Sequence, residues 1–283
     1  MATPDASLSF CGQEVRRHDN DRFLTSLFAP ADRREGLFAL YAFNLEIAKT
    51  REVVTEPMLG QIRLQWWREA VEEMYAGNVR HHEVLQSLDG EVRRHDLTRA
   101  CFDMLIDARE ADLEDDPPAT LDCLESYAEA TGAPLVRLAL EVLGVRDAAA
   151  GTAARHVGIA WALTGLLRAV RFHARSRRLY LPRNLLDRHE VSTARLFDLK
   201  PPEGMRIVVK SIADTARRHL AEARAQRGRI PRKALPALLP ASLADAHLAA
   251  LAKAKYDTFD PRVAAPPPFR EVRLAARVVA GRY

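Results

Sequence analysis

The chain has 283 residues, 48% of them hydrophobic, and a net charge of +4 in which 36 arginines stand against 6 lysines. That length and apolar content are enough for a substantial core, which excludes disorder as the default state. The mild positive excess permits contact with an anionic membrane, and with no nucleic-acid motif beside it nucleic-acid binding is not expected.

Cys11, Cys101 and Cys123 are too sparse and too far apart for a zinc site or a redox pair, which fits a reducing cytoplasm. Residues 1–19 read as an N-terminal extension. They carry acids early and have neither the apolar stretch of a signal peptide nor the acid-poor amphipathic start of an organelle transit peptide. Pro30 opens a helix that runs through Glu52, with Leu37, Leu40, Tyr41, Asn44, Ala48 and Glu52 on one face at three- and four-residue steps. A second helix covers Met58 to Ala76, striped by Leu59, Ile62, Trp66, Ala70 and Met74, and Gly77 ends it. On this spacing Trp66 belongs to the core and Trp67 flanks it.

A third helix is expected from about Leu97 to Glu114, before the stop at Pro117 and Pro118. Thr120 caps the next, which carries Leu121, Leu124 and Tyr127 and continues past a kink at Pro134 to Leu143. Another apolar helix spans Ala153 to Val170, Ser192 caps a short one, and Glu203 to Arg227 reads as long and amphipathic. The proline-punctuated tail reads as short helices between turns. No period-two alternation predicts a strand. No run approaches the roughly 18 apolar residues of a membrane span; the stretch from Ala234 to Ala252 is broken by Pro236, Pro240, Asp245 and His247. The fold class expected is therefore all-α, with one helical domain over residues 20–283.

Three colinear blocks carry a resemblance. They are RFLTSLFAPADRREGLFALYAF with RLQWWREAVEEMYAG, then LIDAREADLE with YAEATGAPLVRLALEVLG, then ALTGLLRAVRFHARSRRLYLP. Together they resemble the squalene/phytoene synthase family, most strongly over residues 20–185. The resemblance implies a single-domain isoprenoid-synthase-like helical bundle around a central cavity. In active members two aspartate-rich stretches on facing helices hold magnesium, which holds the prenyl diphosphates. Carboxylates four residues apart share a helix face and can point at one metal cluster. The metal neutralises the diphosphate leaving group as its bond breaks.

This chain departs from that pattern at the metal positions. The first stretch falls on Ala48, Lys49 and Glu52, where only the last is a carboxylate. The second falls on Ala169 and His173, which follow Arg168. Asp112 matches an acid of the middle helix, Tyr180 a retained tyrosine, and Gly132 a glycine whose companion position holds Leu135, expected to narrow the cavity. The resemblance therefore makes Tyr41, Asn44, Asp112, Gly132, Gly165 and Tyr180 candidates to line the cavity, with Tyr41, Asn44 and Ala48 facing Gly165, Ala169 and His173. It gives no catalytic residue and no metal site. Magnesium is expected only if the chain works as a prenyltransferase with an altered site, the alternative function.

The form AVRFHARSRRLYLP resembles a non-catalytic branch of the family associated with assembly of respiratory NADH:quinone oxidoreductase (complex I). It implies complex I subunits or assembly intermediates as partners, and a chain that acts in the cytoplasm or at the inner face of the cytoplasmic membrane. Arg168, Arg171, Arg175, Arg177 and Arg178 place five fixed positive charges where the family gathers metal. They are candidates to bind an anionic lipid or a prenyl diphosphate directly, the alternative being that they pair with helical acids such as Glu46, Glu52 and Asp112. The acidic run from Glu110 to Asp116 reads as a solvated helix end, and no histidine cluster, nucleophile triad or phosphate loop is present.

Overall fold

A computed structural model describes residues 8–54, 56–200 and 202–283, and among them there are helices and no strands. The longer helices are α1 (Phe10–His18), α2 (Ala31–Ala48), α3 (Pro57–Tyr75), α4 (Glu83–His95) and α5 (Arg99–Asp107). They continue as α6 (Leu121–Val142), α7 (Ala148–Arg175), α8 (Met205–Ala225), α9 (Pro240–Lys253) and α10 (Arg270–Val279). No single described helix is long and apolar enough to cross a membrane.

The spine is α7, which packs against α6, α8 and α9. Asp147 caps it through the Ala150 amide, and Arg177, at φ 54°, ends it, so it is longer at both ends than the apolar run from Ala153 to Val170. It crosses α6 at paired glycines. A Cβ on Gly132 would lie 2.3 Å from the Gly158 carbonyl oxygen, and one on Gly158 would lie 2.5 Å from the Ala133 nitrogen. Backbone meets backbone there, which no side chain permits. Pro134 sits inside α6 without dividing it, as Thr120 and the Cys123 amide begin it.

Two predicted helices differ in detail. The helix after Pro30 stops at Ala48, and Thr50–Val53 forms a separate turn. The segment from Leu97 to Glu114 is helical only as α5; it then tightens into a 3-10 helix over Ala108–Leu113. The segment before residue 20, read as an extension, contributes α1, whose Cys11 and Val15 are buried in the core against α2; residues 1–7 lie outside the described residues.

The stripe of α3 is also rotated from the expected one. Trp67 is fully buried, edge-on to Phe43 at 5.5 Å, and Phe43 meets Phe102 at 5.2 Å; edge-to-face pairs of this kind contribute about 0.5–1.5 kcal/mol each beyond their buried area. Trp66 is half-buried under Arg80, while Leu59 and Ile62 are exposed. Gly60 decides the rotation: the Leu113 side chain of the 3-10 helix occupies the space a Cβ there would need, so α3 turns Gly60, Leu64, Trp67, Val71 and Met74 inward. The sequence carries both stripes, and the observed one sets Gly60 against Leu113 and Trp67 against Phe43.

Candidate functional site

The end of α2, the turn Thr50–Val53, the 3-10 helix, α6 and the last turns of α7 enclose a cavity of about 640 Å³. Of the residues singled out in the sequence, Ala48, Glu52, Asp112, His173, Arg178 and Tyr180 meet there. The two degenerate stretches thus do share one space, with Arg51, Arg109 and Tyr127 added.

Asp112 is the centre of a closed polar network. Its Oδ1 accepts from the Tyr127 hydroxyl at 2.6 Å and the Tyr180 hydroxyl at 2.8 Å, while Arg109 reaches Oδ2 at 3.3 Å. The 3-10 geometry brings this about, because residues i and i+3 eclipse in such a helix and put Arg109 directly beside Asp112. Burial pushes both phenols well above their ordinary pKa, and the Asp112 charge adds to it, so they stay protonated donors. Burial opposes the charge on Arg109, but Tyr127 and Asp112 more than offset it.

His173 lies over Tyr180 with ring centroids 4.7 Å apart. Burial lowers its pKa to about 4 against the pull of Asp112, with Arg178 lowering it further, so the imidazole is neutral at pH 7. An uncharged ring therefore stands where the second aspartate-rich stretch would end.

Magnesium asks for carboxylates beside phosphate oxygens and retained waters. Two carboxylates face this cavity, Glu52 and Asp112, and both oxygens of Asp112 already accept from protein donors. Among the described residues no three His, Cys, Asp or Glu side chains gather where they could hold a metal ion. This donor set does not fit a magnesium–diphosphate clamp. Arg51, Arg109 and Arg178 also face the cavity; Arg51 pairs with Asp115 and Arg109 with Asp112, and the Nε atoms of both are buried without a protein partner.

The remaining candidates stand elsewhere. Tyr41 is buried beneath the Arg22 guanidinium, 5.5 Å from its ring centroid, and its pKa is pushed up to about 12 by burial. Asn44 is buried with its Oδ1 unpartnered. Gly132 belongs to the α6–α7 crossing rather than to the cavity lining, and Leu135 is packed in the core. Gly165 is half-buried beside open space, next to the cavity-lining Leu166, and Ala169 is half-buried outside the lining. Lys49 and Arg63 both pair with Glu46.

The five arginines do not form one face. Arg168 turns inward to Asp21 at 3.3 Å, a buried carboxylate that Arg270 also holds at 2.8 Å. Arg177 lies over the Phe197 ring, Arg178 faces the cavity, and Arg171 and Arg175 are exposed. Of the acids named as their partners, Glu46 is engaged by Lys49 and Arg63 and Asp112 by Arg109, while Glu52 faces the cavity. Along the acidic run the carboxylates are solvent-exposed, as expected, apart from buried Asp112; Glu110, Asp115 and Asp116 make surface ion pairs with Arg68, Arg51 and Arg183. Sequence reasoning missed Arg51, Arg109 and Asp21. The signal for Arg109 was its three-residue spacing from Asp112, legible only once the segment is known to be 3-10.

A family profile described as squalene/phytoene synthase matches residues 15–270. The chain is 37% identical over 258 residues to a Rattus norvegicus protein named NADH dehydrogenase (ubiquinone) complex I, assembly factor 6, covering 91% of this chain and 77% of the relative. It is 25% identical over 209 residues to a presqualene diphosphate synthase of Rhodopseudomonas palustris, covering 74% of each. A dehydrosqualene synthase crystal structure superposes with a TM-score of 0.83 at 21% identity, over 96% of this chain and 94% of that one.

Proposed function

This chain belongs to the squalene/phytoene synthase family, and from that premise we propose that it is a non-catalytic member acting as an assembly factor for respiratory NADH:quinone oxidoreductase. The observation that carries the reading is the state of Asp112. The acid retained in the cavity is held by two phenols and an arginine as a structural group, and Ala48 and His173, which line the cavity with it, bring no carboxylate to share a metal with it. Relatives named as complex I assembly factors at 35–37% identity support the assembly role; the synthase relative named above stands at 25%.

On this reading the cavity is kept for binding rather than for condensation. Arg51, Arg109 and Arg178 take a phosphate-bearing isoprenoid or lipid headgroup without metal, because fixed guanidinium forks supply directly the charge that magnesium supplies in the enzymes.

The test is deletion of the gene in the native host, with native-gel analysis of the NADH dehydrogenase. Loss of the assembled complex, restored by the wild-type gene, is expected. In parallel, purified protein incubated with farnesyl or geranylgeranyl diphosphate and magnesium or manganese, with and without NADPH, yields no presqualene, squalene or phytoene. An intact complex in the deletion strain refutes the assembly role. Product above a boiled control refutes the non-catalytic one and restores the prenyltransferase alternative.

A further inference from the structure

The helix α10 has two apolar faces, and the fold uses one of them. Its inner face buries Leu274 completely and packs Val278 with Leu239, Leu243 and Trp161. Arg270 anchors it across the molecule, to Asp21 at 2.8 Å and to Asn20. At about 100° per residue, the positions of Phe269, Val272, Ala275, Ala276 and Val279 fall in one apolar arc on the opposite side. Phe269, Val272 and Val279 are 78%, 66% and 81% exposed, three of the four most exposed large apolar side chains among the described residues. Phe269 also holds a left-handed backbone at φ 54°, unfavourable for a bulky residue, and the fold gains no burial of its ring in return.

Charge borders this arc. Arg273 lies on one edge with Arg277 behind it, Arg282 follows just past the end of the helix, and none of the three has a carboxylate within ion-pair distance among the described residues. The one acid of the helix, Glu271, is already paired with Arg270. An apolar arc flanked by unneutralised arginines on one edge, with another just past the helix end, is the pattern of a helix that lies in the plane of a bilayer surface.

We propose that α10 docks this protein on an anionic bilayer, with the Phe269–Val279 face entering the headgroup region and Arg273, Arg277 and Arg282 meeting lipid phosphates. The helix is already folded and anchored by Arg270, so docking carries no cost of ordering it. A second copy of the chain fits the surface poorly. Pairing this face with itself brings like-charged arginines together with no free acid to offset them. A helix of 10 residues is also only about 15 Å long, too short to supply the roughly 800 Å² per partner of a standard interface.

The test is co-flotation of the full-length protein with vesicles of phosphatidylcholine alone and of phosphatidylcholine with phosphatidylglycerol. Wild type floats with the anionic vesicles, is released as salt rises, and stays behind with the neutral ones. A Phe269→Ser/Val272→Ser/Val279→Ser variant and an Arg273→Gln/Arg282→Gln variant each lose about tenfold in binding or more, with unchanged circular dichroism and melting because these side chains are exposed. Arg171→Gln/Arg175→Gln, which alters the exposed arginines of α7, floats as wild type does. Failure of wild type to float on anionic vesicles overturns the proposal, as does flotation of the two α10 variants equal to that of wild type. Dimerisation in light scattering that the serine variant dissolves, without flotation, overturns it in favour of a second copy.

Discussion

Tyr180 donates its hydroxyl to Asp112 at 2.8 Å across 68 positions of sequence, and this bond closes the end of α7 onto the 3-10 helix. Removing the Asp112 charge leaves Arg109 buried with no ion partner, which costs about 3–5 kcal/mol for a buried pair broken on one side. Asp112→Ala is expected to lose stability in that range, and Tyr180→Phe about 1–2 kcal/mol, as one buried hydrogen bond is lost. Urea unfolding measures both. Equal stability of Asp112→Ala and wild type refutes a structural role for this acid.

His173 makes stability depend on pH in a defined window. Unfolded, the imidazole titrates near 6.5; folded, it titrates at about 4, because burial disfavours its charge. The unfolded chain therefore takes up a proton that the native chain refuses, and stability falls as pH drops from 6.5 toward 4 and no further below that. His173→Gln is expected to remove this part of the acid sensitivity, on the order of 3 kcal/mol at the low end of the window. Parallel stability curves of the two proteins between pH 7 and about 4 contradict it.

Gly132 tolerates no side chain. The Cβ of Gly132→Ala would meet the Gly158 carbonyl oxygen at 2.3 Å, backbone that cannot swing aside, so α6 and α7 must separate. The expected loss is about 2–4 kcal/mol, at or above the usual cost of overpacking. Gly165→Ala, with nothing within 4 Å of its Cβ, is expected to be neutral or slightly stabilising through helix propensity. Thermal melts of the pair decide it, and similar melting temperatures count against the tight crossing.

The proposed binding in the cavity runs through arginines alone, so farnesyl diphosphate in the presence of EDTA is expected to raise the melting temperature. A ligand at about 100 times its Kd adds about 2.7 kcal/mol. Arg178→Gln is expected to lose most of that shift. Restoring two acids with Ala169→Asp and His173→Asp is expected to give no condensation product, since Ala48 still supplies none to the first stretch. A shift that requires magnesium contradicts metal-free binding, and product from the double variant contradicts the need for an acid at Ala48.

The existence of the helices with strong start or stop signals was legible in the sequence: α2 after Pro30, α3 ending before Gly77 though with its stripe misplaced, and α6 behind Thr120. Missed was α4, which carries Gly90 mid-helix and is capped by the ring of His82 rather than by an oxygen side chain. The absence of carboxylates at Ala48 and Ala169 was legible as well, because it needs only an order of residues. The Arg109–Asp112–Tyr127–Tyr180 network was not. It depends on a switch from α to 3-10 winding at Ala108 and on contacts spanning α6 and the end of α7, neither of which local periodicity records. Likewise, nothing near Arg168 indicates that it serves Asp21.

The ion pair between Asp21 and Arg270 spans 249 positions of the chain. During synthesis Asp21 and Arg168 leave the ribosome well before Arg270 does, so the carboxylate waits in an unfinished setting until α10 arrives. The early helices can condense on one another as they emerge, but the contact of α10 with Asp21 requires a large loop to be closed. Without α10, Leu239 and Leu243 lose the cover of Leu274 and Val278 and keep only that of Leu24, Phe28 and Trp161.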